Sequence, residues 1–235
     1  MLVARAPKLW AVVNSARLAV LGPLLFAGAV CKGPAASRAI ALTFDDGPDP
    51  GATPEILDAL DRVNARATFF FTGRAIEEHP ELARRAALRH EIGTHLYSHD
   101  RRVTRSLPTF EAEVLRCADI HARVLGTKPS ALRFPFGDAG RVRFADARRL
   151  GLTPYHWTFS SEDSSATSAD EVGSHVVPRL HAGAIVLLHD GRGPGSTKGT
   201  GSRRPTVEAL PRILDAALRR GFGLVTVSEL FAGTD

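Results

Sequence analysis

The stretch Ala39-Ile40-Ala41-Leu42-Thr43-Phe44-Asp45-Asp46-Gly47-Pro48 starts as an apolar run and ends in two carboxylates. Ile40, Leu42 and Phe44 alternate with smaller residues, the pattern of a buried strand. Gly47-Pro48 stops that strand and turns the chain. Carboxylates at the end of a buried strand are costly to desolvate unless a cation or hydrogen-bond donors meet them. Neighbouring strand residues point to opposite faces, but a turn at Gly47 can bring both acids into one mouth. One acid is then able to hold a metal while the other takes a proton. The alternative is a pair of ordinary turn acids capping the next helix.

Outward from this stretch, strand and helix alternate. A helix starting at Thr53-Pro54 carries the stripe Ile56, Leu57, Leu60 and Val63. Apolar runs at 67–71, 91–95, 131–134, 153–157, 184–188 and 224–227 read as strands. Helical patterns cover 80–88, 109–125, 142–150, 169–180 and 206–220. Continuous apolar strands separated by helices predict an α/β fold with a parallel sheet and helices outside. About seven or eight such units in roughly 200 residues predict a deformed (β/α) barrel, somewhat smaller than the usual eightfold one. The Gly-rich stretch 191–201 is no phosphate loop, because Gly199 follows Lys198 where Ser or Thr is required; it reads as a flexible rim loop.

The chain has 235 residues, 44% hydrophobic and 23% charged, as expected of a globular protein with one full core. Its formal net charge is +5, from 30 basic and 25 acidic residues. Arg5, Lys8, Arg17, Lys32 and Arg38 account for that excess, with no acidic residue before Asp45. The body is therefore balanced, which excludes a general nucleic-acid footprint. Residues 1–37 read as a signal peptide or N-terminal membrane anchor: a basic start, an apolar run from Leu18 to Val30, and a small-x-small cleavage site at Ala27-Gly28-Ala29. Gly28-Ala29-Val30-Cys31 also faintly resembles a lipoprotein signal, with the bulky Val30 against it. The catalytic domain is expected over 38–235. The protein is expected to be exported, to the periplasm, cell envelope or medium, with membrane attachment if the leader is retained. Cys117 is the single cysteine of the body, so no internal disulfide is expected, and it reads as a small core residue.

In a parallel α/β barrel, chemistry sits at the C-terminal strand ends. Asp45 and Asp46 fall there, as do His95 and His99, Arg133 to Phe136, Glu162 and Asp163, and His189 and Asp190. His95 and His99 are four apart, so one turn can aim both at one point. With one Asp they would form a two-His-one-carboxylate metal site with positions open for water and substrate. The zincin pattern fails, since His90 precedes His95 by five residues. Singly, Arg133 is equally well read as a rim ion pair and His189 as a satisfied core histidine. Trp157 and Phe69 to Phe71 read as packing residues.

These residues carry a resemblance to the polysaccharide deacetylases, the NodB-homology domain of carbohydrate esterase family four. Thr43-Phe44-Asp45-Asp46-Gly47, His95-Leu96-Tyr97-Ser98-His99, Arg133-Phe134-Pro135-Phe136, the stretch from Trp157 to Asp163, and Leu187-Leu188-His189 match its motifs in order. The likeness runs from about Arg38 to the last strand and helix. It implies the deformed NodB-type barrel and metal-dependent removal of acetyl groups from N-acetylglucosamine-containing glycan, of the peptidoglycan or chitin type. It further implies that Asp46, His95 and His99 hold a divalent metal: zinc first, with cobalt or nickel fitting the same ligands. Asp45 would be the general base and His189 the general acid, with Arg133 tethering Asp45 and Asp163 orienting His189. The backbone N–H of Phe136 would meet the oxyanion, and Leu187 would line the substrate site. The chain departs from the family pattern at Leu96, where Thr or Ser is usual, at Phe136, where Tyr is usual, and at Ser160 and Ser164, where Asp and Trp are usual. The Ser164 departure leaves the acyl preference open, so an O-acetyl (xylan-type) esterase, a small-molecule amide hydrolase and an inactive glycan-binding barrel are the alternatives. The motifs do not give the oligomeric state.

Overall fold

The computed structural model describes residues 28–34, 36–193 and 202–232, with the side chains of residues 140–143 left aside. Eight parallel strands form one curled sheet: β1 (Ala39–Asp45), β2 (Thr68–Phe71), β3 (Glu91–Thr94), β4 (Ala131–Leu132), β5 (Thr153–Pro154), β6 (Phe159–Ser160), β7 (Ile185–His189) and β8 (Gly223–Leu224). The order is β5-β4-β3-β2-β1-β7-β6, with β8 on the start of β1. The longest strand, with seven residues, is the one that ends in the acidic pair, and it lies between β2 and β7. The expected parallel barrel is what forms.

Alternation along β1 separates two cores. Ile40, Leu42 and Phe44 face the helices with Phe69 and Phe71, packed on Leu57, Leu60, Val172, Leu210 and Ile213. Ala41 faces the barrel interior with Phe70, Ala131, Tyr155, Ile185 and Val227. Fully burying each large apolar side chain is worth about 1.5–3 kcal/mol, so this double-sided packing fixes the register of β1. The helices on the outside are α1 (Thr53–Arg62), α2 (Gly73–Glu78), α3 (Pro80–Ala87), α4 (Leu107–Leu125), α5 (Gly140–Arg149), α6 (Ala169–Val176) and α7 (Arg204–Arg219). Cys117 is buried on α4.

Several boundaries differ from the sequence expectation for local reasons. Helix α2 had no apolar stripe to announce it; the Thr72 hydroxyl caps it by accepting the Ala75 N–H at 3.2 Å. Pro178 ends α6 early, and Val177–Arg179 continue as a 3₁₀ turn. The strand expected over 153–157 stops at Pro154, because the His156 N–H turns away to the Val30 carbonyl. The strand expected over 224–227 is only Gly223–Leu224.

Strands β5 and β6 do not pair with each other, and residues 30–33 fill the gap. Val30 forms a parallel bridge with Tyr155, donating to the Pro154 carbonyl and accepting from the His156 N–H, both at 2.8 Å. The Cys31 carbonyl accepts the Thr158 hydroxyl at 2.9 Å, and the Gly33 N–H donates to Gly183 at 2.8 Å. Among the described residues no helix is long and apolar enough to cross a membrane. The basic start and most of the apolar run of the expected leader, and most of the rim loop 191–201, lie outside the described residues.

Candidate active site

The parallel register sets the strand ends level: Asp45 is opposite His189 on one side and Phe70 on the other, and Phe71 is opposite Thr94. Whatever follows each strand therefore opens onto one mouth. Asp46 leaves β1 with φ 80°, which turns its carboxylate toward the β3 loop instead of the opposite face. Leu96 and His99 have φ 61° and 55°, folding the loop after β3 so that both histidines point back.

That loop is held by its amides. The Leu96 N–H donates to the Thr94 hydroxyl at 3.2 Å, and the Tyr97 and Ser98 N–H groups both donate to one Glu113 carboxylate oxygen at 2.9 Å. Thr94 and Glu113 thus steady the loop although position 96 carries no hydroxyl. Nothing in the sequence singled out Glu113, which sits on α4.

Asp46, His95 and His99 each bring one ligand atom within 4.8 Å of the others. Asp46 Oδ1 lies 3.0 Å from His99 Nε2 and 3.5 Å from His95 Nε2. His95 Nδ1 is 2.8 Å from the Arg133 carbonyl, which can only accept, so that nitrogen carries the proton and Nε2 presents a lone pair. Burial holds the His95 ring below its ordinary pKa, favouring the neutral form despite Asp45 and Asp46 nearby. A lone pair therefore faces a carboxylate oxygen, two acceptors with no proton between them. Asp46 Oδ1 is buried and makes no well-aligned hydrogen bond. Burial would raise the Asp46 pKa, but His99, His189 and His95 outweigh it and hold the group well below the usual carboxylate range. A divalent cation suits this donor set: two imidazole nitrogens and one carboxylate.

Asp45 lies beside the cluster, its Oδ2 at 3.8 Å from His95 Nε2. Its other oxygen accepts from Arg133 Nη1 at 2.8 Å. Arg133 is fully buried: the same Nη1 also donates to the Thr43 hydroxyl at 2.7 Å, and Nη2 donates to the His156 carbonyl at 2.8 Å. The guanidinium lies 4.2 Å over the Phe70 ring, so Phe70 is the platform for this arginine as well as a packing residue. Trp157 lies further off, with its ring centre 5.7 Å from the guanidinium carbon.

Across the mouth, His189 Nδ1 is 2.8 Å from Asp163 Oδ1. Asp163 Oδ2 accepts the His189 N–H at 2.8 Å and the Thr206 hydroxyl at 2.7 Å. Burial opposes the charged ring, but Asp163 first, then Asp46 and Asp45, push the His189 pKa up to about 9. The ring is then protonated at neutral pH, with Nε2–H free of Asp163. Asp163 is itself held below the usual carboxylate range by His189, against burial. Ile185, Leu187 and His189 share one face of β7, so Leu187 lies under His189 in the barrel interior. Phe136 stands at the rim, 48% exposed, with its ring 4.4 Å from that of His99. Its φ of 62° and ψ of 8° are left-handed, a break inside the 3₁₀ turn Pro135–Gly137.

Asp190, noted in the sequence only as lying on this edge, ties the acidic turn down. Its Oδ1 accepts the Gly47 N–H at 3.1 Å and its Oδ2 the Thr53 hydroxyl at 2.6 Å. Its carboxyl lies so close to Gly47 that no Cβ fits there. Burial first, with Asp46 and Asp45 adding, pushes the Asp190 pKa up to about 8 against the Thr53 hydrogen bond.

The sequence matches the polysaccharide deacetylase family model over residues 32–155. It is 34% identical over 211 residues to a chitooligosaccharide deacetylase of Bradyrhizobium sp., covering 83% of this chain and 91% of the relative. It is 32% identical over 201 residues to a peptidoglycan-N-acetylglucosamine deacetylase of Bacillus cereus, covering 85% of this chain and 70% of the relative. Among solved structures, the Bc1960 peptidoglycan N-acetylglucosamine deacetylase superposes with a TM-score of 0.81 at 29% identity, covering 90% of this chain and 95% of that one. A family 4 carbohydrate esterase from Streptomyces lividans, solved with acetate, superposes with a TM-score of 0.69 at 27% identity, covering 83% and 92%.

Proposed function

The chain belongs to the polysaccharide deacetylases, and we propose that it hydrolyses the N-acetyl groups of N-acetylglucosamine in a cell-envelope glycan, releasing acetate. The carrying observation is the cluster of Asp46, His95 and His99 with the Asp45 carboxylate on one flank and His189, backed by Asp163, on the other. Asp46, His95 and His99 would hold a divalent cation, with zinc the first choice and cobalt or nickel fitting the same donors. When bound, such a cation supplies Lewis-acid chemistry, polarising the acyl oxygen and making water a competent nucleophile at neutral pH.

The chain's own groups do the rest. Asp45 Oδ2 accepts the proton of the attacking water, and Arg133 fixes the other oxygen so that the carboxylate cannot swing away. The Phe136 N–H meets the tetrahedral oxyanion. His189 gives its Nε2 proton to the departing amine, which leaves poorly without one, while Asp163 holds the ring's other nitrogen. Leu187 and neighbouring interior side chains form the floor that keeps bulk water from the acyl group. Residues before Val30 act as the export leader; cleavage after Ala29 leaves Val30 as first residue, still able to bridge Tyr155.

The test is acetate release by zinc-loaded protein from chitooligosaccharide, peptidoglycan and acetylxylan. Release from the two N-acetylglucosamine substrates, lost by about 10²-fold or more in Asp45→Asn with metal content unchanged, is expected. Asp46→Ala should lose the metal itself. Acetate from acetylxylan alone, or full turnover by Asp45→Asn, would reject the assignment.

A further inference from the structure

Helix α7 begins with a residue that helix physics disfavours. Arg203 is its N-cap, where the helix end is already electropositive and Ser, Thr, Asp or Asn is preferred, and its side chain caps no amide. The residue is only 5% exposed, and a buried cation is costly unless it is paired. Among the described residues its side chain makes a single hydrogen bond, from Nε to the Gly191 carbonyl at 2.6 Å, and Nη1 is buried with no partner. Helix formation alone does not ask for an arginine here.

What Arg203 holds is a clamp on the acidic turn. The Asp190 and Gly191 N–H groups both donate to the Asp45 carbonyl, at 3.1 and 3.3 Å. The Asp190 carboxyl accepts the Gly47 N–H at 3.1 Å. Gly191 presses on the Asp46–Gly47 peptide: a Cβ there would come within 2.5 Å of the Asp46 carbonyl and 2.6 Å of the Gly47 nitrogen. Asp46 keeps its φ of 80° under that contact. The Gly191 carbonyl is the outer end of the clamp, and Arg203 takes it. Three residues further on, the Thr206 hydroxyl donates to Asp163 at 2.7 Å, and Asp163 meets the His189 ring at 2.8 Å. One helix start thus grips both sides of the mouth: the turn of Asp45 and Asp46 through Gly191, and the ring of His189 through Asp163.

We propose that Arg203 is a positioning residue: its Nε–H fixes the Gly191 carbonyl and so keeps the Asp45–Asp46 turn in register with His189 across the mouth. This rests on the proposed function and adds to it a residue that touches neither substrate nor cation. The role needs one donor at Nε and not the guanidinium charge. Methionine and glutamine separate the two. Both remove the charge and the unpartnered Nη1, but glutamine carries an amide N–H donor at the same number of bonds from the backbone as Nε.

The experiment compares the zinc-loaded full chain with its Arg203→Met and Arg203→Gln variants. Acetate release from chitooligosaccharide and peptidoglycan is measured beside zinc release to a chelator, each protein at the same interval below its own Tm. Losing an outer support of a metal site costs about 10–100-fold in affinity or activity, so Arg203→Met should lose kcat in that range with KM little changed, and should release zinc correspondingly faster. Arg203→Gln should recover most of both losses. An arginine that merely stabilised α7 would lower Tm in the variants and leave kcat and zinc release at the parent values. Parent-like kcat and zinc release in Arg203→Met, or an Arg203→Gln protein as impaired as Arg203→Met, overturns the positioning role with the deacetylase reading intact. No acetate from the parent removes that reading, while zinc release from the three proteins still decides whether Arg203 holds the turn.

Discussion

Arg133→Met tests whether Asp45, the proposed base, is held by a buried ion pair. The guanidinium is inaccessible to solvent and donates to Asp45, Thr43 and the His156 carbonyl, at 2.8, 2.7 and 2.8 Å. Methionine keeps much of the stem's volume on Phe70 but removes every donor. Asp45, 3% exposed, is then a buried charge without its partner, and breaking such a pair costs about 3–5 kcal/mol. In a domain of this size each kcal/mol moves Tm by about 2–4 °C, so a fall of roughly 6–20 °C is expected. Asp45→Asn alone is also destabilising, because it strands the arginine. The double variant Arg133→Met/Asp45→Asn removes both charges, so its loss should fall short of the summed single losses by about 2 kcal/mol or more. Thermal unfolding followed by circular dichroism on metal-free protein reads all four corners of the cycle. Strictly additive losses, or an Arg133→Met protein melting within about 2 °C of the parent, would refute the buried pair.

Two further perturbations address stability. Burial lowers the His121 pKa to about 4, so the folded protein keeps this ring neutral while the unfolded chain, near 6.5, takes up a proton first on acidification. Its contribution is therefore complete above about pH 6.5 and is lost as pH falls toward 4; His121→Phe should lose about 2–3 kcal/mol less than the parent between pH 7.5 and 4.5, and equal losses by thermal melts would contradict this. A chain beginning at Arg38 lacks the contacts of Val30, Cys31 and Gly33 with the β5–β6 gap and strands the His156 N–H; relative to a chain beginning at Gly28 it should be less stable by about 4 kcal/mol, at about 1 kcal/mol per hydrogen bond, and equal melting would show the strap to be dispensable.

The parallel barrel was legible because its strands are continuous apolar runs with acids or histidines at the ends, and a parallel register sets those ends level whatever the details of each helix. What stayed illegible was local. Val30 to Gly33 read as the end of a leader, since small and apolar residues there serve export and strand-bridging equally. Glu113 looked like any exposed helix acid until its oxygen was found under two loop amides. Asp190 followed His189 on the right edge, but only a three-dimensional contact reveals that it braces Gly47. The left-handed conformations of Asp46, Leu96, His99, Phe136 and Glu162 have no compositional signal, because glycine, the usual marker, is absent at each.

Those left-handed residues explain how the site is built. Outside glycine this conformation costs about 1 kcal/mol or more per residue and survives only where neighbours over-determine it. Here the neighbours are explicit: Asp46 is wedged against Gly191, the Leu96 carbonyl accepts the Gly73 N–H at 2.9 Å, and His99 is packed on Phe136 and Gly193. The atoms of Asp46, His95 and His99 proposed to hold a cation are thus brought together by backbone constraint alone. Phe136 is the member whose departure from the family's usual tyrosine matters least to this arrangement. Its contact with His99 and its support of Arg101 both use the ring face, and its expected oxyanion donor is the backbone N–H, so a phenolic hydroxyl would take part in none of the three.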